Sequence, residues 1–402
     1  MNVDPCVDNA QQQPAAAFSP PRVEVAGAQL WLFVELEPLL AAMLADIRSA
    51  QHRIWLESYI FSDDSAGRAV ANALIERSQA SVDVRVIYDA IGSQATSAAF
   101  FGELAAAGVK VHVHQTIWDS LFRQRSWRLL NRRNHRKLLI VDEHAAYFGG
   151  MNLIDPVEAL QAGGAANLPT SAGWRDVHVR LVGPQAHDVA ESFHRSWRRE
   201  EHQLNRIPSR AYRRGVLSPE AESIRFFDSG PGFKQSRAAR VYSRAMRVAR
   251  REILLSMAYF IPAGRVLRAL LAARRRRVRI RVVVPHDNDV KLVQYALRHL
   301  YSKLLKRGIE IYERVNCMLH SKAMVVDDQW SIVGSCNLDP RSLEINYEFL
   351  AVIRSPAFAA ELKKICENEI LHSQRVTLDD VARRTRWQRW IDRLAYALRA
   401  WL

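Results

Sequence analysis

One pattern occurs twice in the 402-residue chain, and it constrains the fold more than any other feature. The first copy reads His135-Arg-Lys137-Leu-Leu-Ile-Val-Asp142, then six residues, then Gly149-Gly150-Met-Asn152. The second reads His320-Ser-Lys322-Ala-Met-Val-Val-Asp327, then six residues, then Gly334-Ser335-Cys-Asn337. Both fit H-x-K-x4-D-x6-G-[GS]-x-N. With 13 His and nine Lys, about 0.3 His-x-Lys pairs are expected by chance, and about 0.02 once the aspartate is added. The surroundings repeat as well. Strand-like 53–61, helix-like 66–78, strand-like 82–89, another helix, Gly108 and strand-like 109–114 precede the first copy. Strand-like 252–262, helix-like 266–275, strand-like 278–285, helix-like 290–306, Gly308 and strand-like 308–312 precede the second. A duplication on this scale predicts two similar α/β lobes and not a solenoid.

The spacing has a physical meaning. Residues i and i+2 of a strand share a face, so His135 points with Lys137 and His320 with Lys322. The apolar run after each lysine passes through the core. Asp142 and Asp327 come seven positions after their histidines and face the other way, which predicts support of the lobe without contact with reacting atoms. The glycines permit close backbone approach, and Asn152 and Asn337 offer amide donors. Two histidines, two lysines and two asparagines brought face to face would make a pocket for an anionic phosphate.

Composition narrows the partners. Lys+Arg 57 against Asp+Glu 42 gives +15, an excess that suits a polyanion: nucleic acid or an anionic membrane. At 49% hydrophobic and 25% charged residues, the chain is built to fold. The greasy stretch 30–46 is interrupted by Glu35, Glu37 and Asp46, so no span is expected, and the N-terminus lacks a signal-peptide pattern. Cys6, Cys317, Cys336 and Cys366 show neither metal spacing nor a disulfide framework.

The doubled motif resembles the signature of the phospholipase D superfamily over roughly residues 30–372. The resemblance implies a duplicated phospholipase D-like α/β fold. Two α/β/α sandwich lobes are related by a pseudo-two-fold axis and share one active site. It places His135, Lys137, Asp142, His320, Lys322 and Asp327 in the catalytic motifs and Asn152, Ser335 and Asn337 around the phosphate. One histidine becomes a phosphohistidine, with His135 favoured by analogy, and the other moves the proton. No metal or other cofactor is required. Trp174-Arg-Asp176 and Asn346-Tyr-Glu348 stand at comparable places before apolar strands, and the family sets a carboxylate there against each histidine. Asp176 and Glu348 are therefore expected to orient the histidines.

Gly334-Ser-Cys-Asn-Leu-Asp-Pro-Arg-Ser-Leu-Glu-Ile-Asn-Tyr-Glu348 and Ala258-Tyr-Phe-Ile-Pro262 look like the bacterial cardiolipin synthase branch, in its shorter B type without transmembrane helices. That implies transfer of a phosphatidyl group between anionic phospholipids, phosphatidylglycerol first among them. The alternative is a phosphodiesterase acting on phospholipid or nucleic acid; nucleic acid is not the expected partner. The expected organisation is a mobile leader at 1–27, a first lobe at 28–205, a linker at 206–222, a second lobe at 223–374 and a basic amphipathic helix at 375–402. In that helix Trp387, Trp390, Ile391, Leu394, Leu398, Trp401 and Leu402 recur at helical spacing among arginines. It fits either an interfacial anchor or packing on the protein. The aromatic and basic stretch 117–137 is a second candidate for the membrane. Peripheral attachment to the cytoplasmic face of a bacterial inner membrane is the expected location.

Overall fold

The computed structural model describes residues 20–115, 132–156, 173–202, 221–231 and 236–399. The first lobe contributes β1 (Arg22–Val25), β2 (Ala28–Phe33), β3 (Arg53–Ser58), β4 (Asp83–Asp89), β5 (Lys110–His114), β6 (Leu138–Val141), β7 (Ala145–Gly149), β8 (Trp174–Arg175) and β9 (His178–Val182). All but β8 form one sheet in the order β1-β2-β9-β7-β6-β3-β4-β5. The second lobe contributes β10 (Ser223–Ser229), β11 (Glu252–Met257), β12 (Arg279–Pro285), β13 (Glu310–Arg314), β14 (Met318–Leu319), β15 (Lys322–Val326), β16 (Trp330–Gly334), β17 (Glu348–Arg354) and β18 (Ser373–Arg375). All but β14 form a second sheet in the order β10-β17-β16-β15-β11-β12-β13-β18.

Without the edge strands β1 and β18, the two sheets correspond strand for strand. In each, the last three strands run parallel and the other pairs antiparallel. Parallel neighbours need a crossover. Helices Ser65–Gln79 and Ala98–Ala106 provide it in the first lobe, Gly264–Arg275 and Lys291–Leu305 in the second. Gly108 and Gly308, ahead of the third parallel strand, adopt φ 90° and 76°, where a side chain would be strained.

The central strands β6 and β15 are buried on both faces, which is why each reads as an apolar run without a polar alternate after its lysine. Leu139 and Val141 face the first lobe's own core, while Leu138 and Ile140 face a core shared with the second lobe. In β15, Met324 and Val326 face inward to the second lobe and Ala323 and Val325 face the shared core. Helices Ala186–Glu201 and Pro356–Leu371 supply Phe193, Trp197, Phe358 and Leu362 to that shared core. Phe148 meets Phe226 and Phe349 across it, with ring centroids 5.4 and 5.9 Å apart.

Three expectations need correction. Residues 20–27 are not a mobile leader: Arg22–Val25 form an edge strand, folded back onto β2 by a turn at Ala26 and Gly27 with φ 50° and 77°. Alternating Val23 and Val25 bury one face, a pattern too short to stand out from a Pro- and Ala-rich neighbourhood. The histidines do not lie on the strands that follow them, for β6 begins at Leu138 and β15 at Lys322. The tail is two helices, Leu378–Arg383 and Arg386–Ala397, because Thr385 caps a new helix through a capping box with Gln388. Residues 1–19, the stretch 116–131, most of the expected linker (203–220), Trp401 and Leu402 lie outside the described residues.

Candidate active site

Each catalytic-motif histidine enters the site on a short segment that pairs with the opposite lobe. His135 N donates to Tyr347 O at 3.0 Å and Tyr347 N to Arg133 O at 2.8 Å. Reciprocally, His320 N donates to Arg175 O at 2.7 Å, beside the parallel pair formed by β14 and β8. The two crossings are equivalent, as a pseudo-two-fold relation demands. They explain why the histidine segments leave their own sheets early.

The carboxylates are crossed in the same way. His320 Nδ1 lies 2.7 Å from Asp176 Oδ2, a residue of the first lobe. His135 Nδ1 lies 3.1 Å from Glu348 Oε2 of the second lobe, and 2.9 Å from Ser335 O. A carbonyl only accepts, so the Ser335 contact fixes the His135 tautomer: Nδ1 carries the proton and Nε2 is bare. Lys322 Nζ is 2.7 Å from His320 Nδ1 and 3.5 Å from Asp176 Oδ2, and it also donates to His320 O. One Nδ1 cannot donate to Asp176 and accept from Lys322 together. With Asp176 ionised, the ring donates and the ammonium is held by the carbonyl and the carboxylate. Lys137 Nζ donates to His135 O at 2.7 Å and stands 5.1 Å from the Tyr59 ring centre.

All six groups are buried, with relative exposures from 0% at Glu348 to 8% at His135. Burial, with the lysine ammoniums nearby, pushes both histidines below their ordinary range, His135 the further. Burial and the Lys322 charge bring the Lys137 ammonium down to about 7. Burial lifts the Glu348 carboxyl to about 8. At Asp176 burial is outweighed by Lys322 and the bond from His320, so that carboxyl stays below its usual range. The two halves of a symmetric frame are thus electrostatically unlike.

The remaining expected residues divide. Asp142 accepts from the backbone N–H groups of Gln51, His52 and Arg53 at 2.8, 2.9 and 2.8 Å. Asp327 does the same for Arg250, Arg251 and Glu252 at 2.8, 2.8 and 2.9 Å. Both therefore tie down the turn ahead of the central strand and touch neither His135 nor His320; their place in the catalytic set is corrected to a structural one. Asn152 turns its oxygen to Ile60 N at 3.4 Å, which leaves its amide NH2 for a ligand. Asn337 is 1% exposed and its oxygen has no hydrogen-bond partner among the described residues. Ser335 was expected at the phosphate, but its hydroxyl donates to Glu348 Oε2 and accepts from Phe349 N at 3.0 Å. It holds the carboxylate. The equivalent Gly150 has no side chain because a Cβ there would overlap the Asp176 carboxylate.

Four contributors were missed. Tyr59 and Trp174 stand edge-on to His135 and His320, with centroids 5.0 and 5.1 Å apart. Asn134 donates to Glu57 Oε1 at 2.8 Å through its side chain and to Asp89 Oδ2 at 2.8 Å through its backbone, anchoring the segment that carries His135. Arg136, the middle residue of His-x-Lys, is fully buried between Glu57 of the first lobe (3.4 Å) and Asp228 of the second (3.5 Å). Only Trp174 had a signal, as the neighbour of Asp176 in a repeated context. Arg136 had none, since the second copy has Ser321 there.

Known proteins resemble this chain in sequence and in fold. A family model described as "Cardiolipin synthase, PLD-like domain" matches residues 43–157 and 242–370. Cardiolipin synthase A of Serratia proteamaculans is 32% identical over 376 residues, covering 92% of this chain and 75% of that one. The major cardiolipin synthase ClsA of Bacillus subtilis is 33% identical over 349 residues, covering 86% and 70%. Among solved structures, a phosphatidylserine synthase from Haemophilus influenzae superposes with a TM-score of 0.69 at 14% identity, covering 92% of each chain, a likeness of fold. Among the described residues no helix is long and apolar enough to cross a membrane.

Proposed function

Because this chain belongs to the cardiolipin synthase, phospholipase D-like family, we propose that it is a phosphatidyltransferase that joins two phosphatidylglycerol molecules into cardiolipin, releasing glycerol. The observation that carries the reading is the pair of buried histidines, each held through Nδ1 by a carboxylate of the other lobe.

His135 Nε2 attacks the donor phosphorus. The bond from phosphorus to the glycerol headgroup oxygen breaks, and His320 gives that oxygen its proton. The phosphatidyl group then sits on His135. His320, now neutral, takes the proton from the terminal hydroxyl of the second phosphatidylglycerol, whose oxygen attacks phosphorus. The phosphorus–nitrogen bond breaks and His135 is regenerated. The assignment follows the asymmetry of the site. The Ser335 carbonyl leaves His135 Nε2 bare, as a nucleophile needs. The ionised Asp176 raises the proton affinity of His320 against the burial and the Lys322 charge that lower it, as a proton carrier needs. Lys137, Lys322 and the amides of Asn152 and Asn337 neutralise the phosphoryl oxygens as charge builds on them.

Phospholipids reside in a bilayer, so the enzyme works at a membrane. We place it as a peripheral protein on the cytoplasmic face of the inner membrane. The test is incubation with headgroup- and acyl-labelled phosphatidylglycerol. Cardiolipin with an equal amount of free glycerol is expected, undiminished by EDTA because lysines supply the positive charge. Phosphatidic acid as the sole lipid product would replace transfer by hydrolysis.

A further inference from the structure

We propose that the face of the C-terminal helix carrying Trp387, Trp390, Leu394 and Leu398 seats the enzyme on an anionic phospholipid bilayer. The proposal rests on the phospholipid substrate argued above and adds the surface that brings the enzyme to it.

Helix Arg386–Ala397 has three distinct faces. The inner face is already used. Asp392 and Ala395 are 2% and 1% exposed, Asp392 receives two bonds from Arg384 at 2.9 and 2.9 Å, and Tyr396 stacks on His299 at 4.8 Å. Packing against the second lobe is thus satisfied without the tryptophans. The opposite face is apolar and open. At about 100° per residue, positions 387, 390, 394 and 398 fall within about 80° of arc. Their exposures are 66%, 53%, 48% and 41%. The two indoles stack with centroids 4.9 Å apart, so they present one slab. Single exposed apolar residues are ordinary; a continuous stripe of two tryptophans and two leucines marks a contact surface. Along one flank run Arg386, Arg389 and Arg393, with no ion-pair partner among the described residues.

Those arginines select the occupant. An anionic lipid surface neutralises them, whereas a second copy of the chain would bring three more against them. Indole rings suit the water–lipid boundary, where the ring is buried and the N–H stays wet. A helix of 12 residues is about 18 Å long, too short to cross, and therefore lies in the plane of the interface.

The experiment uses the full chain and two variants. One carries Trp387→Ser, Trp390→Ser and Leu394→Ser; the other Arg386→Gln, Arg389→Gln and Arg393→Gln. Sedimentation with phosphatidylglycerol/phosphatidylcholine vesicles and with phosphatidylcholine vesicles gives the affinities. The apolar variant should bind both about a hundredfold more weakly. The arginine variant should lose about fivefold per arginine on anionic vesicles only. Wild-type binding should weaken in high salt and persist in part. Unchanged vesicle affinity in both variants overturns the proposal. So does a wild-type dimer that becomes a monomer in the apolar variant, since the stripe then joins two copies. If the apolar variant melts early, the arginine variant decides by the same criterion. Transfer between short-chain lipids in micelles, measured alongside, separates the two readings. A wild type that binds vesicles but makes no cardiolipin in micelles refutes the transferase and leaves the docking surface standing.

Discussion

At the scale of single residues, burial acts on both orienting carboxyls but with different results: Glu348 rises to about 8, while Lys322 and His320 hold Asp176 below its usual range. Two histidines in mirrored positions thereby sit in unlike surroundings, which supports the division of roles proposed above. Replacing either by alanine should lower transfer by about 10⁴-fold or more, since one loss removes the nucleophile and the other the proton carrier. The difference shows in trapping: a phosphatidyl group should accumulate on His135 in the His320→Ala protein, and its recovery on residue 320 of the His135→Ala protein would reverse the assignment. Lys137 sets the alkaline limb. Burial and the Lys322 charge bring its ammonium down to about 7, so the charge proposed to neutralise phosphate fades as pH rises through that value. The expected kcat/KM falls above about pH 7, and Lys137→Arg, which keeps its charge, should lose that fall while being slower overall. A wild-type profile flat to about pH 9.5 would remove Lys137 from this role.

At the scale of elements, Asp142 and Asp327 explain why the motif is so long. An aspartate directly follows the strand of each motif, and that aspartate closes three backbone N–H groups at the start of the neighbouring central strand. Asp142 and Asp327 adopt φ 51° and 55°, a conformation that short polar residues tolerate. Asp142→Ala leaves three N–H groups without their acceptor and should cost about 3 kcal/mol in denaturant unfolding. Its kcat in the folded fraction should change little. Loss of activity without loss of stability would return Asp142 to the chemistry. The sequence-based expectation for these aspartates came from counting alternation along a strand. The count worked for the aspartates because β6 and β15 are regular. It failed for the histidines because they precede the strands and are pulled across to the other lobe.

At the scale of the whole molecule, neither half of the site is complete without the other lobe. Asp176 of the first lobe serves His320, Glu348 of the second serves His135, and Arg136 lies buried between Glu57 and Asp228. Both histidines of one site come from one chain, so mixing His135→Ala protein with His320→Ala protein should restore no activity. Recovery towards a quarter of wild-type turnover would mean that lobes exchange between chains, as in domain swapping.

Two lobes, and the strands and helices that each repeats, were legible in the chain, which also singled out the histidines, lysines and asparagines proposed to face a phosphate. Those features are local: periodicity, glycine punctuation and a motif with fixed spacing. It also singled out Asp176 and Glu348, because each sits at the same place before an apolar strand. Which carboxylate meets which histidine was decided by tertiary structure alone, since the partners are 144 and 213 residues apart. The same holds for Ser335, whose hydroxyl could serve a phosphate or a carboxylate until Glu348 is placed beside it. It holds for the tail too, where spacing predicts an amphipathic helix but only packing shows which side faces the protein. Asp392 and Ala395 bury one face against the second lobe, and the tryptophans are left on the other. Spacing along a chain reports what shares a side; contact between distant segments is set by how two folded lobes close on each other.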